Sequence, residues 1–320
     1  MNAATIPAII IPYRREPYLE TTLTNIAETA DHPYRLYLVN DEPDCGHVPA
    51  LPRKAPACVD VIHLASRGRG LSYARHLALK AAEASGHHVA ILLDAHMSFF
   101  CGSAWLSRMH QYGQDNPDTF ACAISLRGRP NNMLAAHHLA HGRVECGARL
   151  IDRQTNSEGR REIFARRWSD NRDISYARDV ACPLGGAYVL RISTYAAIGE
   201  PWRLHVGWGC SEQLVALACW YLGYRCRVIP VPACHMYRDQ SPHPQRLWRV
   251  LHNSLLLAHL FLPEDEEDAA ARWLSQYKPH EAAKAAQRLP ADEIARLRQL
   301  YHPDGEDAAA IRARFVEVAQ

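Results

Sequence analysis

Four short apolar runs divide the first hundred residues, and their spacing leaves few architectures open. They are AIIIPY, RLYLV, VDVIHLA and VAILL, each followed by a polar cluster. Between the first two, residues 17–30 place Leu19, Leu23 and Ile26 at helical spacing, with Pro17 suited to a first turn. Between the last two, SYARHLALKAAEASG reads as an alanine-rich helix stopped by Gly86. Strands alternating with helices predict an α/β chain with a mostly parallel, doubly wound sheet. In such sheets ligands bind beyond the carboxyl ends of the strands.

Two of those ends carry chemistry-bearing side chains: Asn40-Asp41, and Asp94-Ala95-His96 at the end of ILLDAH. Side chains two apart in an extended segment point to the same side. A carboxylate and a neutral imidazole on one side suit a divalent cation. A strand simply leaving the sheet for solvent would read the same in isolation. The shared strand-end position favours the metal reading.

Further along, SAWLSRMHQYG reads as a helix and TFACAISLRG as a strand, with a polar, Arg-rich stretch running to Ser175. ACPLGGAYVLRISTYAAIG reads as a two-glycine loop entering a strand and then a helix. HVGWGCSEQ leads into a helix at LVALACWYLGY, and a strand at RCRVIPVP leads into ACHMYRDQSPHP. Beyond Pro244 the character becomes all-α. Residues 245–262 form an amphipathic helix, followed by helical stretches at AAARWLSQY, HEAAKAAQRL, ADEIARLRQLY and AAAIRARFVEVA.

The net charge of +2 over 320 residues argues against an obligatory polyanionic partner. Neither an amino-terminal signal nor an apolar run near the roughly 18 residues of a bilayer span is seen, so a soluble, cytoplasmic protein is expected. The 10 cysteines stand singly without a C-x-x-C pair, which argues against a zinc ribbon or finger, and many lie in apolar strings as small buried hydrophobes.

Further constellations join the two strand ends. ASRGRGLSYAR, residues 65–75, combines glycines that admit close backbone approach with Arg67, Arg69 and Arg75, which can face phosphates. GWGCSEQ contains Trp208 and Glu212, and about two dozen residues later come His235 and Arg238. HHLAH (His137, His138, His141) has metal-like spacing but no accompanying acid, and is expected on the acceptor side or the surface. GRREIFARRW, residues 159–168, reads as a solvated face or as a contact for an anionic acceptor. The polar loop 238–244 is expected to act as a lid.

In this order, the constellations over residues 6–240 resemble metal-dependent, nucleotide-sugar glycosyltransferases of the GT-A fold. They look most like the catalytic domain of the polypeptide N-acetylgalactosaminyltransferases and their family 2 relatives. IIIPYRRE…LYLVNDEPD resembles the family's nucleotide-binding start, with Asp41 as the second acid and Asn40 in place of the first. GLSYARHLALKAA resembles the Gly-Leu-x-x-x-Arg segment and puts Arg75 in the matching place. LLDAH matches the Asp-x-His variant of the metal motif. LGGAYVLRISTYAAIG resembles the paired-glycine stretch. GWGCSEQ resembles Trp-Gly-Gly-Glu-Asn with one extra residue and Gln for Asn. ACHMYR resembles Gly-His-Val-Phe-Arg, whose histidine is the third metal ligand.

The resemblance implies a GT-A domain over 1–244, with a nucleotide-binding half (1–100) and an acceptor-side half (101–244), and an α-helical extension over 245–320. It implies Asp94, His96 and His235 as ligands of Mn2+ or Mg2+. Pro12, Tyr13, Arg14, Asp41, Arg69, Arg75, Asp94, Ala95, Gly185 and Gly186 are implied at the UDP-sugar donor, Trp208 and Glu212 at the sugar or the acceptor, and Arg238, three residues beyond His235, at the diphosphate. Glu212 is expected to hold sugar hydroxyls or act as a base. The implied activity is hexosyl or N-acetylhexosaminyl transfer to a peptide or protein side chain. A glycan, a polysaccharide or a modified DNA base is the alternative acceptor, and stereochemistry stays open. Nucleotidyl transfer would call for a Gly-rich, Lys-bearing loop after the first strand, which IPYRRE lacks. A non-enzymatic interaction protein of the same fold is disfavoured by an intact Asp94, His96 and His235 set.

Overall fold

The structure, a computed structural model, describes residues 5–42, 44, 49, 56–128, 144–156, 159–170, 175–236, 245–302, 313 and 316–317. In chain order, the elements begin with β1 (Ala8–Tyr13), α1 (Leu19–Thr29), β2 (Tyr34–Asn40), β3 (Cys58–Ala65), α2 (Leu71–Ala84), β4 (Val89–Leu93) and β5 (Met97–Phe99). There follow α3 (Trp105–Asp115), β6 (Thr119–Gly128), β7 (Val144–Thr155), β8 (Arg161–Asp170), β9 (Arg178–Asp179), β10 (Ala187–Arg191) and α4 (Ile192–Ala197). After a 3-10 turn at Pro201–Leu204 come α5 (Ser211–Tyr221), β11 (Arg225–Met236), α6 (Leu247–Phe261), α7 (Glu264–Ser275), α8 (Pro279–Ala286), α9 (Ala291–Tyr301) and β12 (Val316–Glu317).

One mixed sheet runs in the order β12-β7-β6-β10-β4-β1-β2-β3. Its amino-terminal part is parallel: β1 pairs with both β2 and β4, and β2 with β3. The carboxyl ends of β1, β2 and β4 therefore lie side by side. β10 then enters antiparallel between β4 and β6. β11 runs parallel to β6 and, past a register shift between Ile229 and Pro232, also pairs antiparallel with β5.

β1, β2 and β4 are apolar runs because each is covered on both faces, whereas the edge strand β3 stays partly exposed. In β1, Ile9 and Ile11 face a layer made with Leu23 and Ile26 of α1 and with Trp105 and Met109 of α3. Ala8 and Ile10 face the opposite layer, with Ala78 and Leu79 of α2. Alanines 74, 78 and 82 are fully buried and let α2 approach the sheet closely. Trp105 stacks on Phe99 with ring centroids 3.7 Å apart, and its indole N–H donates to Thr29 Oγ1 at 3.1 Å.

The Arg-rich middle departs from the sequence reading. Residues 144–170 hold two long antiparallel strands, β7 and β8, that extend the sheet. In β8 the consecutive buried residues Ile163, Phe164 and Ala165, flanked by charged ones, disguise the strand period. In the stretch expected to be the last helix, Val316–Glu317 instead pairs as a strand with β7. The other helices past residue 245 appear as α6 to α9 and pack into the core that holds α2 and α5. Tyr221 donates to the Phe261 carbonyl at 2.6 Å and Tyr301 to that of Ile198 at 2.9 Å. Among the described residues the cysteines are all free and mostly buried, and no helix is long and apolar enough to cross a membrane.

Trp105→Ala removes a fully buried ring and a hydrogen bond, so it should lower unfolding free energy by about 3–5 kcal/mol. Urea denaturation measures it.

Candidate active site

β4 delivers Asp94 to the end of the sheet, where its N–H donates to the Gly186 carbonyl at 2.7 Å. Residues 94–96 do not continue the strand as the two-residue spacing suggests; they turn and lead into β5. The turn, rather than an extended face, brings the acid and the imidazole together. His235 arrives through strand register: it stands opposite Met97 in the β11–β5 pair, and Met236 N–H donates to the His96 carbonyl at 3.1 Å. Asp94, His96 and His235 then offer potential ligand atoms all within 4.8 Å of one another. His235 Nε2 lies 3.4 Å from Asp94 Oδ2, and the two imidazole centroids are 4.7 Å apart.

Gly186 lines this cluster because nothing larger fits. Its φ is +82°, and a Cβ there would come within 2.7 Å of His235 Cδ2 and 2.9 Å of Asp94 Oδ2. Two imidazoles and a carboxylate around such a cradle fit a borderline divalent cation. Burial works against the charge on Asp94. The His235 contact and the Arg75 and His96 charges outweigh it and hold the carboxyl below the usual carboxylate range.

Arg75, buried on α2, joins the acid to the rest of the site. It donates to Asp94 Oδ1 at 2.6 Å and to Ser211 Oγ at 3.3 Å, and lies 3.6 Å from Glu212 Oε1. Its guanidinium packs near the Tyr188 and Trp202 rings. Glu212 opens α5, where the helix dipole favours an acid. Its Oε1 accepts from the Tyr188 hydroxyl at 3.1 Å and its Oε2 from Arg166 at 2.9 Å. The same hydroxyl accepts from Gly186 N–H at 3.2 Å, so Gly186, Tyr188 and Glu212 form one chain. Burial and the nearby Glu212 and Asp94 charges push the Tyr188 phenol well above its ordinary value.

These groups line a cavity of about 510 Å³ that also takes in Pro12, Tyr13, Arg14, Ala95, Gly185 and Trp208. Asp41 lines a neighbouring cavity of about 220 Å³ with Arg14, Arg67 and Arg249. It is buried, and its Oδ1 accepts from Ser66 Oγ at 2.6 Å and from Gly70 N–H at 3.0 Å, so it braces the 66–70 loop. Arg69 lines neither cavity; its guanidinium lies 3.5 Å from the centre of the Tyr73 ring. Arg238, His137, His138, His141 and the loop 238–244 lie outside the described residues.

Trp208 is 43% exposed at the mouth of both cavities, on a loop held firmly from beneath. The buried Asn253 of α6 donates to the carbonyls of Val206, Trp208 and Gly209 and accepts from Val206 N–H at 3.1 Å. Arg249 of the same helix donates to the Gly68 carbonyl at 3.1 Å. His205 is fully buried and hydrogen-bonded to the Gly209 carbonyl, and burial pushes its pKa down to about 3. Sequence reasoning missed Asn253, Arg249, Arg166 and Tyr188. Arg166 was hidden in a run that reads as a solvated face, and nothing local marks Asn253. Glu16, quoted in the opening motif without a role, has its carboxylate 3.3 Å from His96 Nδ1.

Solved structures share this mixed sheet with its cavity at the strand ends. The crystal structure of GalNAc-T7 with UDP, GalNAc and Mn2+ aligns with a TM-score of 0.67 at 14% identity, over 97% of this chain and 58% of that one. The chain thus spans a little over half the length of that protein. S. aureus TarS 1-349 in complex with UDP-GlcNAc aligns with a TM-score of 0.52 at 14% identity, over 96% of this chain and 90% of that one. No curated protein sequence matches the chain. Residues 8–175, more than half of its length, match the glycosyl transferase family 2 domain, and the chain belongs to that family.

Gly186→Ala should strain the backbone and push Asp94 and His235 apart, costing roughly 1–3 kcal/mol. Urea denaturation reads the cost, and altered imidazole proton resonances of His235 and His96 read the displacement. His205 sets a pH dependence. Between pH 6.5 and about 3 the unfolded chain binds a proton there that the folded chain refuses, so stability falls as pH drops through that window. His205→Gln should flatten the acid slope of the urea midpoint.

Proposed function

We propose that this glycosyltransferase moves a hexosyl or N-acetylhexosaminyl group from a UDP-sugar to a peptide or protein side chain, with Mn2+ or Mg2+ held by Asp94, His96 and His235. The convergence of those three side chains in the glycine-floored cavity carries the reading. Bound there, the cation would offset the diphosphate's charge and favour its departure. UDP-sugar as donor is supported by the ligands of GalNAc-T7 and TarS, which share the fold.

The chain's own residues have separable roles in this reading. Arg75 holds Asp94 in place by a charge-assisted hydrogen bond and keeps its other oxygen turned to His235. Asp41, with Arg14 beside it, receives the nucleoside end in the smaller cavity. Glu212 already accepts hydrogen bonds on both oxygens, from Tyr188 and Arg166. It is therefore better suited to orienting those donors and a sugar hydroxyl than to taking the acceptor's proton. Trp208 presents an exposed ring on a rigid loop, a platform for stacking against a sugar or acceptor. A protein side chain as acceptor rests on the motif order and is the finer part of the proposal.

Calorimetry with UDP, with and without Mn2+, tests the site. Mn2+-dependent UDP binding should be weakened at least about tenfold in His96→Ala and in His235→Ala, since each removes a ligand. Equal binding in wild type and both variants would sink the metal assignment. Mass spectrometry of peptide and glycan acceptors after incubation with UDP-hexoses then decides the acceptor class.

A further inference from the structure

Glu16 follows β1 in a stretch where consecutive side chains part company. Arg15 adopts a left-handed backbone, with φ +46°, uncommon for a residue other than glycine. That kink sends Arg15 outward, where it pairs with both carboxylate oxygens of Glu42 at 2.8 and 2.9 Å. Glu16 turns inward, with its side chain only 5% exposed. Its Oε1 accepts from Tyr18 N–H at 3.3 Å, and its Oε2 stands 3.3 Å from the buried Nδ1 of His96, which makes no hydrogen bond in this geometry and would reach the carboxylate by a small rotation of the ring. A carboxylate taken so far out of water needs a donor to face.

The same segment grips the backbone around His96. From α1, Thr22 Oγ1 donates to the Ala95 carbonyl at 3.2 Å, and Asn25 both donates to the Phe99 carbonyl and accepts from its N–H. Thr22 and Asn25 are buried, so the segment from Ala95 to Phe99, the turn and β5, is tied to α1 at each end. What those bonds leave undetermined is the rotation and tautomer of the imidazole itself. Glu16 faces the one atom that can settle both. It is not itself among the groups whose ligand atoms converge, which among the described residues are Asp94, His96 and His235.

We propose that Glu16 is the positioning residue of the metal site: it accepts the Nδ1 proton of a neutral His96, which leaves Nε2 with its lone pair for the cation. The inference rests on the metal reading above. A carboxylate behind a histidine fixes the ring and raises its basicity as a ligand, and removing such a partner commonly costs 10–100-fold in metal affinity.

The test is a Mn2+ titration in the presence of UDP, followed by electron paramagnetic resonance, on wild type, Glu16→Ala and Glu16→Gln. Glu16→Ala should weaken Mn2+ roughly 10–100-fold. Glu16→Gln keeps an acceptor oxygen but loses the charge, so its loss should be smaller yet measurable, with an altered spectrum of the bound ion. Thermal unfolding without metal shows that each variant folds. Wild-type Mn2+ affinity in Glu16→Ala, or in Glu16→Gln if the alanine variant does not fold, overturns the proposal. A loss of turnover with unchanged Mn2+ affinity also overturns it, since Glu16 would then act on the reactants. If wild type itself binds no Mn2+, the metal reading fails, and the assignment of Glu16 falls with it.

Discussion

A buried guanidinium organises this site. Arg75 reaches from α2 to the end of β4, to the first turn of α5 and to the ring of Tyr188 on β10. A lone cation so far from water would be strongly destabilising, and here Asp94 and Glu212 offset its desolvation. The arrangement binds both ways, because Asp94 and Glu212 are likewise kept in position by the cation. Three segments distant in sequence therefore share one electrostatic knot, and the cavity is built around it.

Much of the architecture could be read from residues alone, and the reasons are physical. β1, β2 and β4 are buried on both faces, so they appear as unbroken apolar runs, and α2 announces itself by its alanines and Gly86. β7 and β8 were illegible because the buried run Ile163-Phe164-Ala165 in β8, with Phe164 at φ +49°, breaks the two-residue strand period, and charged residues flank it on both sides. Asp94, His96 and His235 were legible as chemistry, but strand periodicity does not bring them together: a turn and a strand register do. Asn253 shows the opposite limit. An asparagine among leucines on a helix carries no local sign that it will hold three carbonyls of a loop more than forty residues earlier.

The helices beyond Pro244 therefore do more than cover the sheet. α6 contributes Asn253 under the Trp208 loop and Arg249 against the Gly68 carbonyl, so it supports walls of both cavities. α9 closes over the turn at Gly199, where a Cβ would meet Leu297 at 2.5 Å. Destabilising these helices would reach the site through hydrogen bonds rather than through a general loss of packing.

The contact between Gly70 and Gly207 has a consequence for how this chain can diversify. A Cβ on Gly70 would lie 2.4 Å from the backbone of Gly207, so bare main chain touches bare main chain where the cavities adjoin. No side chain can be placed at Gly70 to widen, narrow or recolour that passage. Changes in what the site accepts are left to the side chains that line both spaces, Arg14, Leu71, Trp208 and Gln245. The junction is a fixed frame, and selectivity belongs to its fittings.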